Sequence, residues 1–279
     1  MTIEKYDKQL KKSRGLGEQE IRVLSYIQYK GQDLLYFGHL SEGLGIKKDQ
    51  ERRLLSNLEN KGQIIRLKKG VYLVSARLPP GGRLSFTEYY ILAKFMEVER
   101  ANYQLSGQTV FNQYGFDEQI PNRLFVYNNR ISGERKIGGF WFDFAKTSSM
   151  RLKGSYLLKE SSGLKIPVAT KEKALVDAVY DWSRFNTLPR VFLWIIMALR
   201  KDNRLKTKLI KTAIESGNLA VVRRIGCLLS HNGFSKQALK QLKKALGQAK
   251  SLIPLVPKKN IRGSVDRYWG IIINDQINF

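Results

Sequence analysis

Along the first 75 residues the apolar positions recur at helical spacing, and glycines separate the blocks. Between Glu18 and Lys30 the positions Ile21, Leu24 and Ile27, with Val23 alongside, mark an amphipathic helix that Gly31 ends. A short second helix fits Phe37 to Leu44, with Leu40 and Leu44 on one face and Gly45 as its stop. A third begins near Asp49, a good N-cap, and runs to Lys61 with Gly62 just beyond it. Gln63 to Leu67 and Val71 to Ser75 are short β-prone runs around Lys68-Lys69-Gly70, the pattern of a hairpin with a basic tip. Two helices joined by a tight Gly-containing turn, followed by a hairpin, predict a winged helix-turn-helix over residues 1–80.

Pro79-Pro80-Gly81-Gly82 predicts a linker, and a second domain over 83–279 follows it. In its α+β core, residues 83–181, Phe86 to Ala101 reads as a helix burying Tyr89, Leu92, Ala93 and Met96. Arg123 to Tyr127, Gly139 to Phe144 and Lys165 to Ala169 read as strands, with Asn128-Asn129 and Ser132-Gly133 as turns. Thr170 is a good N-cap for a helix to about Asp181. From Leu188 onward the pattern is helical, broken at Gly217-Asn218 and at His231-Asn232-Gly233, with Ser235 capping the last helix. Tyr268 to Ile273 reads as a closing strand. The expected fold class is α+β: an N-terminal winged helix-turn-helix, then a larger α+β domain ending in basic amphipathic helices.

Charge changes this picture most. The 279 residues carry 49 Lys+Arg against 24 Asp+Glu, a net of +25, with 43% hydrophobic residues. That balance excludes acidic activation segments and calcium-loop proteins, and the apolar content argues against disorder. It points to a polyanion as partner, nucleic acid before an anionic membrane. Residues 1–80 hold a net of +7, 81–181 a net of +3, and 182–279 a net of +15, the last with only 4 acidic residues. Helices supported only by i,i+4 ion pairs would need more Glu than that. Lys206, Lys208, Lys211, Arg223, Arg224, Lys236, Lys240, Lys243 and Lys244 are therefore expected to form a second basic surface for DNA, RNA or a protein, with a solvated lysine face as the plain alternative.

In the first domain, Leu54, Leu55 and Leu58 define the buried side of the third helix. At about 100° per residue the opposite side carries Asp49, Arg53, Ser56 and Asn60, flanked by Arg52 and Asn57. Arg offers paired donors to guanine and Asn pairs with adenine, as reading the major groove requires. Lys47, Lys48, Arg66, Lys68 and Lys69 suit phosphate contacts, and a basic arm (Lys5, Lys8, Lys11, Lys12, Arg14) precedes them. An ordinary solvated helix face or a protein-binding winged helix would carry similar residues.

Catalytic chemistry is not evident. His39 and His231 lie far apart near helix ends, and Cys227 sits in an apolar stripe. With no Cys/His cluster apparent, no zinc site and no cofactor are expected. Walker and G-x-G-x-x-G loops are missing from the sequence. Asp143 with Lys146, and Glu172 with Lys173, do not match the spacing of a metal-dependent nuclease. A single cysteine, a polar N-terminus and a longest apolar run of only Val191 to Leu199 predict a cytoplasmic protein without membrane association.

The run Leu58-Glu59-Asn60-Lys61-Gly62-Gln63-Ile64-Ile65-Arg66-Leu67-Lys68-Lys69-Gly70-Val71-Tyr72 resembles the recognition-helix-to-wing signature of the AbiEi family of antitoxins. Tyr103 to Gly115 with Gln119-Ile120-Pro121 is similar to that family's helix ending in glycine. Ile166 to Asp177 resembles its strand-then-helix with a K-A-L-x-D stretch, and Val222 to Leu229 its C-terminal helix. The resemblance implies a non-enzymatic antitoxin of a type IV toxin–antitoxin pair. It implies binding to double-stranded DNA at inverted repeats in the pair's own promoter, and a nucleotidyltransferase-like toxin as partner. The alternatives are a winged-helix transcription factor unrelated to a toxin, and a nucleic-acid-processing enzyme.

Overall fold

The structure, a computed structural model, describes residues 16–75, 86–160, 163–248 and 251–276. The expected basic arm, Lys5 to Arg14, and the Pro79-Pro80-Gly81-Gly82 linker lie outside the described residues. The chain divides into two compact units, residues 1–100 with 135–141, and residues 101–134 with 142–279.

The first unit contains α1 (Glu18–Lys30), β1 (Leu34–Tyr36), α2 (His39–Leu44), α3 (Lys48–Asn60), β2 (Ile65–Lys68), β3 (Val71–Leu73) and α4 (Glu88–Val98). The strands form an antiparallel sheet in the order β1-β3-β2. Val23, Leu24, Ile27, Leu40, Leu54, Leu55, Leu58, Ile64 and Val74 make its core. Ile21, expected inside α1, is 51% exposed, while Glu20 is buried. The helical wheel explains the exchange. Val23, Leu24 and Ile27 centre the inward stripe almost on position 20, and position 21 lies about 110° away.

Glu51 of α3 supplies the main polar anchor. Its fully buried carboxylate accepts from the backbone N–H groups of Gly38 (2.8 Å), Leu40 (3.3 Å) and Ser41 (3.2 Å), and from the Ser41 hydroxyl. These are the donors that the start of α2 leaves without helical partners. A helix of six residues does not hold itself together in water, so α2 depends on this cap from its neighbour.

The division between units follows Arg100 because α4 is bonded into the first. The Tyr90 hydroxyl donates to Asp33 (2.9 Å), Lys94 pairs with Asp33 (3.2 Å), and Lys68 pairs with Glu99 just past the helix end (3.0 Å). α4 buries Ile91, Leu92, Phe95 and Met96; of the expected face, Tyr89 and Ala93 are only half-buried.

Along the chain β4 (Tyr103–Leu105), α5 (Gly107–Gln113) and β5 (Arg123–Asn128) of the second unit come next, then β6 (Gly133–Ile137) and β7 (Phe140–Lys146), each of which falls partly in either unit. A 3-10 turn (Ser149–Leu152), β8 (Ser155–Lys159), β9 (Lys165–Ala169), α6 (Lys171–Tyr180) and α7 (Trp182–Phe185) follow. Then come α8 (Arg190–Lys201), α9 (Leu205–Glu215), α10 (Leu219–His231), α11 (Lys240–Leu246), β10 (Ile253–Pro254), β11 (Ser264–Asp266) and β12 (Ile271–Ile273). The large sheet has the order β6-β7-β5-β4-β9-β8, and the residues 135–141 at its first hairpin group with the first unit. α5 starts at Gly107, with φ +61, where a Cβ would come within 2.7 Å of the Phe125 and Phe185 rings. The strand expected within Tyr268 to Ile273 is β12, and two strands that were not expected, β10 and β11, join it in a small sheet in the order β10-β12-β11.

α6 packs against α5, α7, α8, α9 and α10, which leaves Lys173 and Asp177 inside. They pair with each other one turn apart, and Arg151 bonds both Asp177 and Asp181 at 3.0 Å. Ser106 and Tyr127 hydroxyls donate to the same two carboxylates. Two cations thus offset two anions in a closed network, as buried charges require.

Replacing Glu51 by Gln removes an acceptor while the N–H groups of α2 stay buried. We expect a loss of about 1–3 kcal/mol in urea unfolding, against less than about 0.5 kcal/mol for Glu42→Gln on the exposed side of α2. Equal effects of the two changes would refute the anchoring role.

Candidate nucleic-acid interface

α3 turns one face outward. Asp49, Arg52, Arg53, Ser56, Asn57 and Asn60 are exposed, while Glu51, Leu54, Leu55 and Leu58 point in. The helix starts one residue before the expected Asp49, with Lys47 at its N-cap position and no side-chain cap bond. Lys47 and Lys48 are exposed. Gly62, at φ +70, closes the other end: its N–H bonds Glu59 O (2.9 Å), and Gln63 N–H bonds Leu58 O (2.8 Å). That stop directs the chain into β2 and carries Arg66 outward. β2 and β3 pair around a two-residue tip, Lys69-Gly70, and the tip is tied to the α2 entrance by Phe37 N–H to Gly70 O (2.8 Å).

The exposed groups are not equally available. Arg53 has no ion-pair partner among the described residues, whereas Arg52 pairs with Asp49 at 3.1 Å and lies 5.7 Å over the Phe37 ring. Lys69 is exposed, but the neighbouring Lys68 is half-buried and committed to Glu99. Lys61, at the helix exit, pairs with Glu20 at 2.5 Å and so fastens α3 to α1. Burial opposes the charged form of Glu20, yet the bonds from Lys61 and from the Gly17 N–H outweigh it and hold the carboxyl below its usual range.

The second expected surface is partly corrected. Arg223 and Arg224 are 3% and 5% exposed and belong to the interior of α10. Arg223 donates to Ser251 O (2.7 Å); Arg224 donates to Leu255 O (3.0 Å) and Pro254 O (3.2 Å). Burial lowers the Arg224 guanidinium to about 10, so it stays charged at neutral pH. Their task is to satisfy carbonyls of the segment entering the small sheet. Lys208, Lys211, Lys236, Lys240 and Lys244 are exposed as expected. Lys206 and Lys243 are half-buried, 4.7 Å over Phe234 and 4.4 Å over Tyr268.

The residues considered for nuclease chemistry do not gather: Asp143 lies 3.8 Å from Arg184, and Lys173 turns inward to Asp177. A different group does gather. Cys227, His231 and Asp266 come together, contrary to the expectation of no Cys/His cluster. The i,i+4 spacing of Cys227 and His231 was the available sequence signal; Asp266 joins only through the fold. Burial, and then the Asp266 carboxylate, push the Cys227 thiol up, so it is neutral at physiological pH.

No family model matches the chain, and no curated protein matches it in sequence. Among solved structures, that of the RV2827C protein from Mycobacterium tuberculosis is similar in fold, with a TM-score of 0.55. The alignment covers 93% of this chain and 92% of that one at 14% identity. No helix among the described residues is long and apolar enough to cross a membrane.

The Glu20–Lys61 pair has a pH signature. A carboxyl whose folded-state pKa is lowered adds stability above its unfolded pKa and loses it as pH falls through the folded value. Wild type should exceed Glu20→Gln by about 1–2 kcal/mol at neutral pH, and the gap should close in acid. A gap that persists unchanged in strong acid would show that the charge of Glu20 is not its source.

Proposed function

We propose that this chain is a DNA-binding antitoxin of a type IV toxin–antitoxin pair. Residues 1–80 form a winged helix-turn-helix that represses the pair's own promoter, and the C-terminal domain counteracts a nucleotidyltransferase-like toxin. One observation carries the DNA-binding half: the exposed row Arg53, Ser56, Asn57 and Asn60 on α3, with Lys47, Lys48, Arg66 and Lys69 around it. The element order α1-β1-α2-α3-β2-β3 supports the winged reading, with α3 as the second helix of a tight pair and β2–β3 as the wing. In that reading Arg53 addresses guanine through paired donors, the Asn side chains address adenine, and the lysines hold the phosphates.

The antitoxin half rests on the family resemblance at residues 58–72, 103–115, 166–177 and 222–229. Its operator is an inverted repeat, its partner the toxin, its compartment the cytoplasm, and it carries no catalytic site of its own.

Arg53→Ala is expected to lower specific DNA affinity by about 1–3 kcal/mol and relax the sequence preference at one position. Lys69→Ala should weaken all sequences alike and reduce the salt slope by about one unit. Footprinting on the protein's own promoter would refute autorepression if no protection appeared. Co-expression with the product of the adjacent gene should restore growth; a toxic neighbour that is not rescued would sink the antitoxin half alone.

A further inference from the structure

Three side chains that the proposed interface does not use meet in the second unit. Cys227 and His231 stand one turn apart on α10, and Asp266 ends β11. Asp266 Oδ2 lies 3.7 Å from Cys227 Sγ and 3.0 Å from His231 Nε2, and the three ligand atoms all fall within 4.8 Å of one another. A tetrahedral zinc ion, with bonds of about 2.3 Å to sulfur and about 2.1 Å to nitrogen and oxygen, sets its ligand atoms roughly 3.4–3.6 Å apart. The two observed edges bracket that spacing.

The surroundings hold the group in place. Asp266 Oδ1 accepts from the backbone N–H of Trp269 at 3.1 Å, which leaves Oδ2 facing Cys227 and His231. The Trp269 ring lies on α10 at Gly226, where a Cβ would come within 2.3 Å of it, so the glycine beside Cys227 is what lets this turn close down. The sulfur is buried, Asp266 is largely covered, and the imidazole opens to solvent. An ion, with a water as its fourth ligand, would enter from the imidazole side.

Charge makes the same point. Residues 182–279 contain 19 basic and 4 acidic residues. The other three acidic groups, Asp202, Glu215 and Asp275, pair with Arg204, Lys211 and Lys259. Asp266 makes no ion pair to Lys or Arg among the described residues and faces a thiol and an imidazole instead.

We propose that Cys227, His231 and Asp266 bind one divalent transition-metal ion, with Zn²⁺ the best match to a sulfur, nitrogen and oxygen donor set. Thiolate and imidazole donors select against Mg²⁺ and Ca²⁺, which take oxygen ligands. Binding replaces the thiol proton: Cys–SH and M²⁺ give Cys–S–M⁺ and a proton, which leaves to water. The ion then clips the β10-β12-β11 sheet to α10.

The test is titration of the reduced, metal-free full chain with Co²⁺, followed by displacement with Zn²⁺. Saturation at one ion per chain is expected, with a thiolate-to-cobalt charge-transfer band and intense tetrahedral d–d bands. Cys227 is the only cysteine in the chain, so the charge-transfer band reports this site alone. Cys227→Ser should abolish the band. His231→Ala, which alters an exposed ring, should weaken Co²⁺ binding by at least about tenfold and cancel the rise in melting temperature that Zn²⁺ gives the wild type. A wild type without the band, or a His231→Ala variant that binds Co²⁺ as tightly as wild type, overturns the proposal.

Discussion

In the first unit, the short helix α2 depends on one buried carboxylate, that of Glu51. Glu51 sits on the inward side of α3 and faces the start of α2, a helix too short to fold on its own. Without an acceptor there, the N–H groups of Gly38, Leu40 and Ser41 would be lost to water and unpaid by protein. With it, the angle between α2 and α3 is set by hydrogen bonds and does not rest on leucine packing alone. The outward row on α3 inherits that precision, since Arg53 follows Glu51 by two residues and Ser56, Asn57 and Asn60 lie within about two further turns of the same helix. Phe37 N–H to Gly70 O then links the same corner to the hairpin tip, so helix face and tip are held by neighbouring bonds.

Much of the first unit was legible in the sequence, because its signals are local. α1 is found at the expected bounds, Gly31 and Gly62 take the left-handed backbone expected of helix-ending glycines, and the polar side of α3 follows from Leu54, Leu55 and Leu58. What escaped is non-local or very short. Glu51 looks like one more acidic residue of an N-terminal turn until the fold places Gly38 against it. Three-residue strands such as β1 and β4 are too short for alternation to register. β8, at an edge of the large sheet, alternates only between exposed and half-buried positions, which the apolar pattern does not distinguish from a loop.

The second unit hid its chemistry in the opposite way, inside residues that look ordinary. Glu172 and Lys173 are adjacent residues at the start of an expected helix, yet helices surround α6 and turn Lys173 into the buried partner of Asp177. Arg223 and Arg224 count among the expected surface charges because residues 182–279 hold only 4 acidic residues to pair with their 19 basic ones. α10 is in fact buried over nearly its whole circumference, and a long guanidinium inside such a helix must end on acceptors; here these are the carbonyls of Ser251, Pro254 and Leu255. A wheel drawn from sequence assumes that each helix has a wet side. α10 scarcely has one.

This redistribution changes what the C-terminal charge means. Of the nine residues that defined the second basic surface, the two arginines serve as internal bracing and the seven lysines remain at or near the solvent. Arginine's planar fork is suited to fixed acceptors, and in α10 it is used that way. Lysine offers a compact, hydrated charge on a flexible stem. The outward face of α3 has the reverse emphasis, with arginine and asparagine at its centre and lysine at its margins. A lysine surface meets a polyanion as charge density, without the paired bonds that tell one base from another. Under the proposed function the two units would therefore differ in kind: arginine and asparagine on α3 can discriminate between bases, whereas the lysines of the second unit can contribute only charge density.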